Sequence, residues 1–142
     1  MVMTSDEKAA AIGRVALFAG LDGSSLMPLA EAASEASFAD GDAIVIQGQV
    51  GTGLFVVVAG GVRISQSGDD VARLGPGDYL GELSVIDREP RSASAFAVGP
   101  TTCLALASWD LFRRVDADPA LSHALLRGLA LRVRALSDHH HH

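Results

Sequence analysis

The chain has 142 residues, 49% of them hydrophobic, with a formal net charge of −6 and a pI of about 5.2. This length suits one domain, and the apolar content favours a folded core over disorder. The acidic balance and the single lysine, Lys8, argue against a general nucleic-acid or anionic-membrane surface, because phosphate groups attract clustered basic residues.

Two helices are predicted in the N-terminal segment. An acidic start, an alanine run and spaced apolar residues predict a helix over residues 6–19. Ser24 or Ser25 could cap a second helix that runs to about residue 34. The sequence has no secretory signal and no membrane-like stretch of 18 apolar residues, so we expect a cytosolic protein.

Residues 37–107 consist of short β-rich runs broken by glycine-containing turns. The predicted strands are 44–46, 54–58, 62–65, 71–74, 94–98 and 102–107. Gly60-Gly61 is interpreted as a turn or bulge, Gly99-Pro100 as a break between strands, and Ser67-Gly68-Asp69-Asp70 as a hairpin turn. Many short strands of this kind predict a small barrel or jelly roll.

Helix is predicted again after the β-rich region. Ser108 is expected to cap a short helix over residues 109–115, with Trp109 packed in it. Asp118 and Pro119 are the residue types preferred at a helix cap and a first helical position, and a longer helix is predicted from 120 to about 136.

The four C-terminal histidines, 139–142, are interpreted as the remains of an expression tag. We therefore expect a single domain over residues 1–138, with a β-roll at about 37–107 and C-terminal helices at about 108–137.

Cysteine and histidine are too rare for several kinds of site. Cys103 is the only cysteine and lies in an apolar run, so we expect a buried, inert thiol and no disulfide. His123 is the only histidine before the tag, so a zinc ligand set is not expected. A cupin-like barrel enzyme would need several histidines on its strands, and the predicted strands contain none.

The segment 81–93 brings together a carboxylate, a guanidinium and small residues, with no evident catalytic nucleophile. Arg91 offers a planar fork that matches two phosphate oxygens, and Pro90 restricts the chain before it. A helix starting near Leu83 would present unpaired amides to an anion, Gly81 permits close approach, and Glu82 could accept a ribose hydroxyl. These groups suit a ligand with a phosphate and a ribose.

This segment resembles the phosphate-binding cassette of cyclic nucleotide-binding domains, the family that includes catabolite activators and regulatory subunits of cAMP-dependent kinase. Gly81-Glu82-Leu83 matches the opening of the cassette, and Pro90-Arg91-Ser92-Ala93 matches its close. The resemblance implies that Arg91 binds the phosphate, that Glu82 binds the ribose, and that Ser92 and Ala93 supply amide and hydroxyl contacts. The full ligand-binding set that we predict is Gly81, Glu82, Leu83, Ser84, Arg91, Ser92 and Ala93.

The resemblance extends over residues 15–137 through similar glycine-punctuated strands. It implies a mainly β fold, a double-stranded β-helix (jelly roll) with N-terminal helices and with C-terminal hinge and lid or dimer helices. It also implies a sensor and not an enzyme, with cAMP as the preferred ligand, cGMP second, and no cofactor. A fused or separate effector domain is the expected partner, without a membrane or direct nucleic-acid partner.

Several alternatives remain open at this point. Glu82 and Arg91 could form a purely structural ion pair, and the domain could be a degenerate scaffold that binds no ligand. It could also be the effector domain of a catabolite-activator-like transcription factor, although this chain shows no helix-turn-helix.

The last helix permits two interpretations. Leu126, Leu129, Val133 and Leu136 have heptad-like spacing, which is typical of a helix packed on its own barrel or of a parallel homodimer. The resemblance also aligns Ser137 with a residue that touches the adenine base in catabolite activators.

Overall fold

The computed structural model describes residues 2–50, 53–81 and 90–140. Its elements in chain order are α1 (Ser5–Gly13), a 3-10 helix (Ala16–Phe18), α2 (Gly23–Ala32), β1 (Ser34–Phe38), β2 (Ala43–Val45), β3 (Gly53–Gln66), β4 (Asp69–Leu74), β5 (Tyr79–Leu80), β6 (Ser94–Ala107), α3 (Ser108–Ala117) and α4 (Pro119–His140). The predicted class, mainly β with flanking helices, is confirmed.

The strands form one antiparallel sheet, in which β1, β6, β3 and β4 are neighbours in that order, β2 pairs with β6 and β5 pairs with β3. Both β3 and β6 are 14 residues long, whereas each was predicted as two strands. Gly60 lets β3 continue through a bulge, because its φ is +89° and a Cβ there would lie 2.6 Å from Thr101 Oγ1. The predicted break at Gly99-Pro100 was wrong.

The two long strands bury side chains on both faces, which explains their continuous apolar runs. Leu54 and Val56 pack against the helices, in a cluster that also contains Phe18, Leu29, Leu104 and Leu121. Val57 points to the opposite face, inside the roll, with Cys103 and Leu80. Neighbouring strand residues therefore belong to two different cores, as the alternation of side chains requires.

The N-terminal helix is shorter than predicted. It ends at Gly13, and the chain continues through extended Val15 into the 3-10 helix, where Leu17 and Phe18 are only 1% and 0% exposed. Glycine is a weak helix former, and the break lets both adjacent apolar residues reach the core. The N-cap of α2 is Asp22, whose carboxylate accepts the Ser24 N–H at 3.0 Å, so the predicted serine cap was wrong.

The start of α3 also differs from the prediction. Ser108 is its first residue and Ala107 is the capping residue, so the predicted Ser108 cap was wrong. Trp109 is 62% exposed, so its expected packing was wrong too. Leu111 marks the buried face of α3, and Trp109 lies about 200° around the helix from it.

Asp118 caps α4 as predicted and also joins the two helical segments. Its carboxylate accepts the N–H of Ala120 at 3.1 Å and of Leu121 at 3.4 Å, and it accepts the Ser25 hydroxyl at 2.6 Å. The C-terminal helices are thereby attached to α2.

The first half of α4 packs on the N-terminal segment, and later residues are exposed. Leu121, Ala124 and Leu125 are buried, whereas Leu126, Leu131 and Val133 are 66%, 61% and 62% exposed. The homodimer through α4 stays a prediction. Within the described ranges, no helix has the length and apolar content needed to span a membrane.

Candidate ligand-binding site

Arg91 lies in a short segment that enters β6 and is held there by main-chain hydrogen bonds. Its N–H donates to the Gln49 carbonyl at 2.8 Å, and its own carbonyl accepts the Gly48 N–H at 2.9 Å. An isolated bridge between Val50 and Pro90 continues this pairing. The loop after β2 therefore fixes the position of the Arg91 main chain, from which the side chain extends.

The guanidinium of Arg91 is buried, and the residue is only 6% exposed. Nη2 donates to the Gly53 carbonyl at 2.7 Å, and Nη1 donates to the Gly81 carbonyl at 3.1 Å. A buried cation needs hydrogen-bond acceptors, and here main-chain oxygens from two distant segments supply them. These bonds bring the two ends of the predicted cassette together, although ten residues separate Gly81 and Arg91.

Two features of position 81 require a glycine. Its φ is +95°, a left-handed conformation, and a Cβ on it would clash with Arg91 Nη1 and lie 2.7 Å from the Gly53 carbonyl oxygen. The absence of a side chain at position 81 thus makes room for the guanidinium.

The other predicted site residues are distributed as follows. Ser92 is exposed and Ala93 half-buried, next to Arg91 at the entry to β6. Glu82, Leu83 and Ser84 lie outside the described residues, so their predicted roles, and the proposed ion pair of Glu82 with Arg91, stay predictions. Ser137 lies within α4, but its side chain is outside the described part of the structure.

Sequence reasoning missed three residues next to Arg91. Gly53 provides an acceptor for the guanidinium, and the Gln66 side chain donates to the Ser92 carbonyl. Gln47 takes part through its main-chain N–H, which donates to the Ser94 hydroxyl, whereas its side chain bonds to Ser67. Each glutamine directly follows a predicted apolar strand, and this position is the only weak signal of its role in the sequence. No sequence pattern indicated the role of Gly53, because 38 residues separate it from Arg91.

A cavity of about 500 Å³ adjoins this arrangement. Its wall includes Arg91, Gly53 and Val50, the strand residue Phe55, and Trp109 at the start of α3. This volume is in the usual range for a small-molecule site, and a mostly apolar wall with a few charged side chains, here Arg91 and Asp110, is typical of such sites.

Two ionisable groups away from this cavity have pKa values that their surroundings shift. Burial raises the pKa of the Cys103 thiol to about 11, which keeps it protonated and unreactive at neutral pH. The hydrogen bond from the Ser25 hydroxyl lowers the pKa of Asp118, which acts as a helix cap. Among the residues that the structure describes, no group of three or more His, Cys, Asp or Glu side chains could hold a metal ion.

Comparisons with known proteins agree with this fold. The cyclic nucleotide-binding domain family matches residues 35–118. The chain is 30% identical over 129 residues to a CRP-like cAMP-activated global transcriptional regulator of Mycobacterium tuberculosis, covering 87% of this chain and 57% of that protein.

Two solved structures are also similar. The catabolite activator protein of Thermus thermophilus has a TM-score of 0.77 and 35% identity, covering 85% of this chain and 59% of that one. The N-terminal domain of a transcriptional regulator from Streptomyces coelicolor has a TM-score of 0.78 and 34% identity, covering 90% of this chain and 93% of that one.

A jelly roll between helical segments, with a buried arginine beside a cavity, is the architecture of a ligand-binding regulatory domain. The chain belongs to the cyclic nucleotide-binding domain family. It spans little more than half the length of the first curated relative described above.

Proposed function

We propose that this domain binds a cyclic nucleotide, cAMP in preference to cGMP, and signals its occupancy through the C-terminal helices. The observation that carries the proposal is the buried Arg91 guanidinium beside the cavity, anchored by the carbonyls of Gly53 and Gly81. The preference for cAMP is supported by the Mycobacterium tuberculosis relative, which is named as cAMP-activated.

The chemistry of the ligand suits this arrangement. A cyclic phosphate offers two anionic oxygens, whereas Gly53 and Gly81 offer neutral carbonyls, and a guanidinium bonds more strongly to an anion. Burial also strengthens the attraction, because little solvent screens the pair. In this proposal Glu82 binds the ribose hydroxyl, Leu83, Ser84, Ser92 and Ala93 contribute further polar contacts, and Ser137 contacts the base. The domain needs no cofactor and performs no reaction.

A route from the phosphate site to the C-terminal helices runs through β3. Gly53, which accepts a hydrogen bond from Arg91, is paired in the sheet with Ala107, the residue that precedes α3. A phosphate that draws the guanidinium away from Gly53 would therefore act on the strand pair from which α3 begins. Trp109 and Asp110, in the first turn of α3, line the same cavity, which supports a response of this helix to the ligand.

A second candidate function is the effector domain of a catabolite-activator-like transcription factor. The relatives that are transcriptional regulators are longer, since this chain covers 57% of one and 59% of another. A DNA-binding effector, a homodimer through the exposed apolar residues of α4 and a cytosolic location belong to this proposal.

Calorimetric titration of cAMP and cGMP into nucleotide-free protein tests the binding. We expect tighter binding of cAMP, and we expect Arg91→Ala to weaken it about 30-fold to several thousandfold, because a buried phosphate would lose its charged partner. Arg63→Ala is the matched control, because it also removes an arginine, but one that pairs with Asp70 at 2.8 Å and stacks over Phe96 and is not part of the cavity wall. No heat with either nucleotide from a folded sample would refute the proposal and favour a non-binding scaffold.

Fluorescence of the single tryptophan tests the signalling step. Trp109 is exposed in the first turn of α3, so a movement of that helix should change its emission. We expect saturating cAMP to change the Trp109 spectrum in the unaltered protein and not in Arg91→Ala. Calorimetric binding without any spectral change would contradict a response of α3.

A further inference from the structure

The segment that follows Arg91 is held by side chains and amides from two neighbouring turns. The Arg91 carbonyl accepts the Gly48 N–H at 2.9 Å. The Ser92 carbonyl accepts Gln66 Nε2 at 3.2 Å, and the Ser94 hydroxyl accepts the Gln47 N–H at 2.8 Å. Gln66 is the last residue of β3, and 26 residues separate it from Ser92.

The bond from Gln66 has a consequence for the next amide along the chain. The Ser92 carbonyl and the Ala93 N–H belong to one planar, trans peptide unit, in which they point in opposite directions. Because Gln66 binds the carbonyl, it orients the Ala93 N–H away from Gln66. The Gly48 N–H acts in the same way on the preceding unit, which contains the Ser92 N–H.

We propose that Gln66 is a positioning residue of the phosphate site, which orients the Ala93 amide toward one exocyclic oxygen of the cyclic phosphate. This inference rests on the proposed function and adds a residue that the cassette itself does not contain. Arg91 would supply the charge, and the amide oriented by Gln66 would distinguish one phosphate oxygen from the other. The ligand class is a cyclic phosphodiester, whose two exocyclic oxygens are stereochemically distinct.

Gln47, in the loop after β2, offers a matched comparison because its side chain contacts the same hairpin. Its side-chain oxygen accepts the N–H of Ser67 at 2.8 Å, in the turn between β3 and β4, where Ser67 has a φ of +52°. Its side chain therefore supports the hairpin turn, whereas that of Gln66 binds the Ser92 carbonyl. Gln47→Leu removes a glutamine side chain that bonds to this hairpin and leaves the bond from Gln66 to Ser92 in place.

The test compares Gln66→Leu, Gln47→Leu and the unaltered protein by titration with cAMP and with its two phosphorothioate diastereomers. Each diastereomer replaces one exocyclic oxygen by sulfur, which accepts hydrogen bonds weakly. We expect Gln66→Leu to weaken cAMP binding about twofold to tenfold, the range for one hydrogen bond. We also expect the affinity ratio of the diastereomers to change. Replacing an exocyclic oxygen by sulfur weakens binding less where the amide that would bond to that oxygen is already misaligned. Gln47→Leu should leave the ratio unchanged.

The outcomes separate this inference from the proposed function. An unchanged diastereomer ratio in Gln66→Leu, or the same change in Gln47→Leu, would overturn the positioning role while cAMP binding by the unaltered protein stands. Failure of the unaltered protein to bind any of the three nucleotides would overturn the proposed function and this inference together. Circular dichroism of both variants checks that the roll is folded.

Discussion

Replacement of Gly81 by alanine is the sharpest test of how the Arg91 site is built. The new Cβ would clash with Arg91 Nη1 and lie 2.7 Å from the Gly53 carbonyl oxygen, at a backbone φ of +95°. The left-handed conformation costs about 1–2 kcal/mol for a residue with a side chain. Displacement of the guanidinium would add the loss of hydrogen bonds to a charged group, about 1.5–3 kcal/mol each.

Gly77→Ala separates these two effects. Gly77 has a φ of +93°, close to that of Gly81, but a Cβ there has no described atom within 4 Å. The control variant therefore introduces similar backbone strain without the contact to Arg91. We expect Gly77→Ala to lower the free energy of unfolding by about 1–2 kcal/mol and to leave cAMP affinity unchanged.

Urea denaturation followed by Trp109 fluorescence and cAMP calorimetry measure the two variants. Gly81→Ala should be the less stable of the two by roughly 3–6 kcal/mol, the further cost of losing both hydrogen bonds of the guanidinium. It should also bind cAMP about 30-fold to several thousandfold more weakly, as expected when the phosphate loses its charged partner. Equal stability and equal affinity of the two variants would refute the argument that Gly81 makes room for Arg91.

Three other predictions concern the rest of the fold. Gly60→Ala should destabilise the roll by at least about 2 kcal/mol in urea denaturation, and more than Gly68→Ala, because both have a φ of +89° but only Gly60 approaches Thr101. Cys103, buried with its pKa raised to about 11, should resist a thiol reagent at pH 8 until denaturant is added, and rapid labelling of folded protein would contradict this. The Ser25 hydroxyl lowers the pKa of Asp118 below its ordinary value of 3.8, so its stabilising effect is present at neutral pH and is lost as the pH falls through the lowered pKa. Ser25→Ala should therefore lower the melting temperature at pH 7, and the difference from the unaltered protein should shrink below pH 3.8; a constant difference would argue against this linkage.

Predictions based on neighbouring residues agreed well with the structure. The Asp118-Pro119 pair marks the start of α4, and the apolar run around Cys103 is buried. The hairpin turn was predicted in the right place, but it contains only Ser67 and Gly68, since β4 already begins at Asp69. Each depends on backbone preferences or side-chain polarity within a few residues. The strand breaks predicted at Gly60-Gly61 and Gly99-Pro100 were less reliable, because a glycine with positive φ occurs in turns and in bulges equally well.

The exposure of Trp109 could not be predicted from its residue type. A tryptophan near the start of a helix is usually packed, but the orientation of α3 is set by the burial of Leu111 against the core. Which face of a short helix is covered depends on neighbours that are distant in the sequence, and here Trp109 lies on the uncovered side.

The sequence by itself determined that helices flank a β-rich region, the family, and the residue types of the predicted phosphate cassette, since these are properties of short segments. Only the tertiary structure determined that the Arg91 guanidinium is anchored by Gly53 and Gly81, and that Gln66 binds the Ser92 carbonyl. Those contacts join segments 38, 10 and 26 residues apart. Their geometry depends on the register of β3 with β6 and on the turns that flank these strands, which no local pattern encodes.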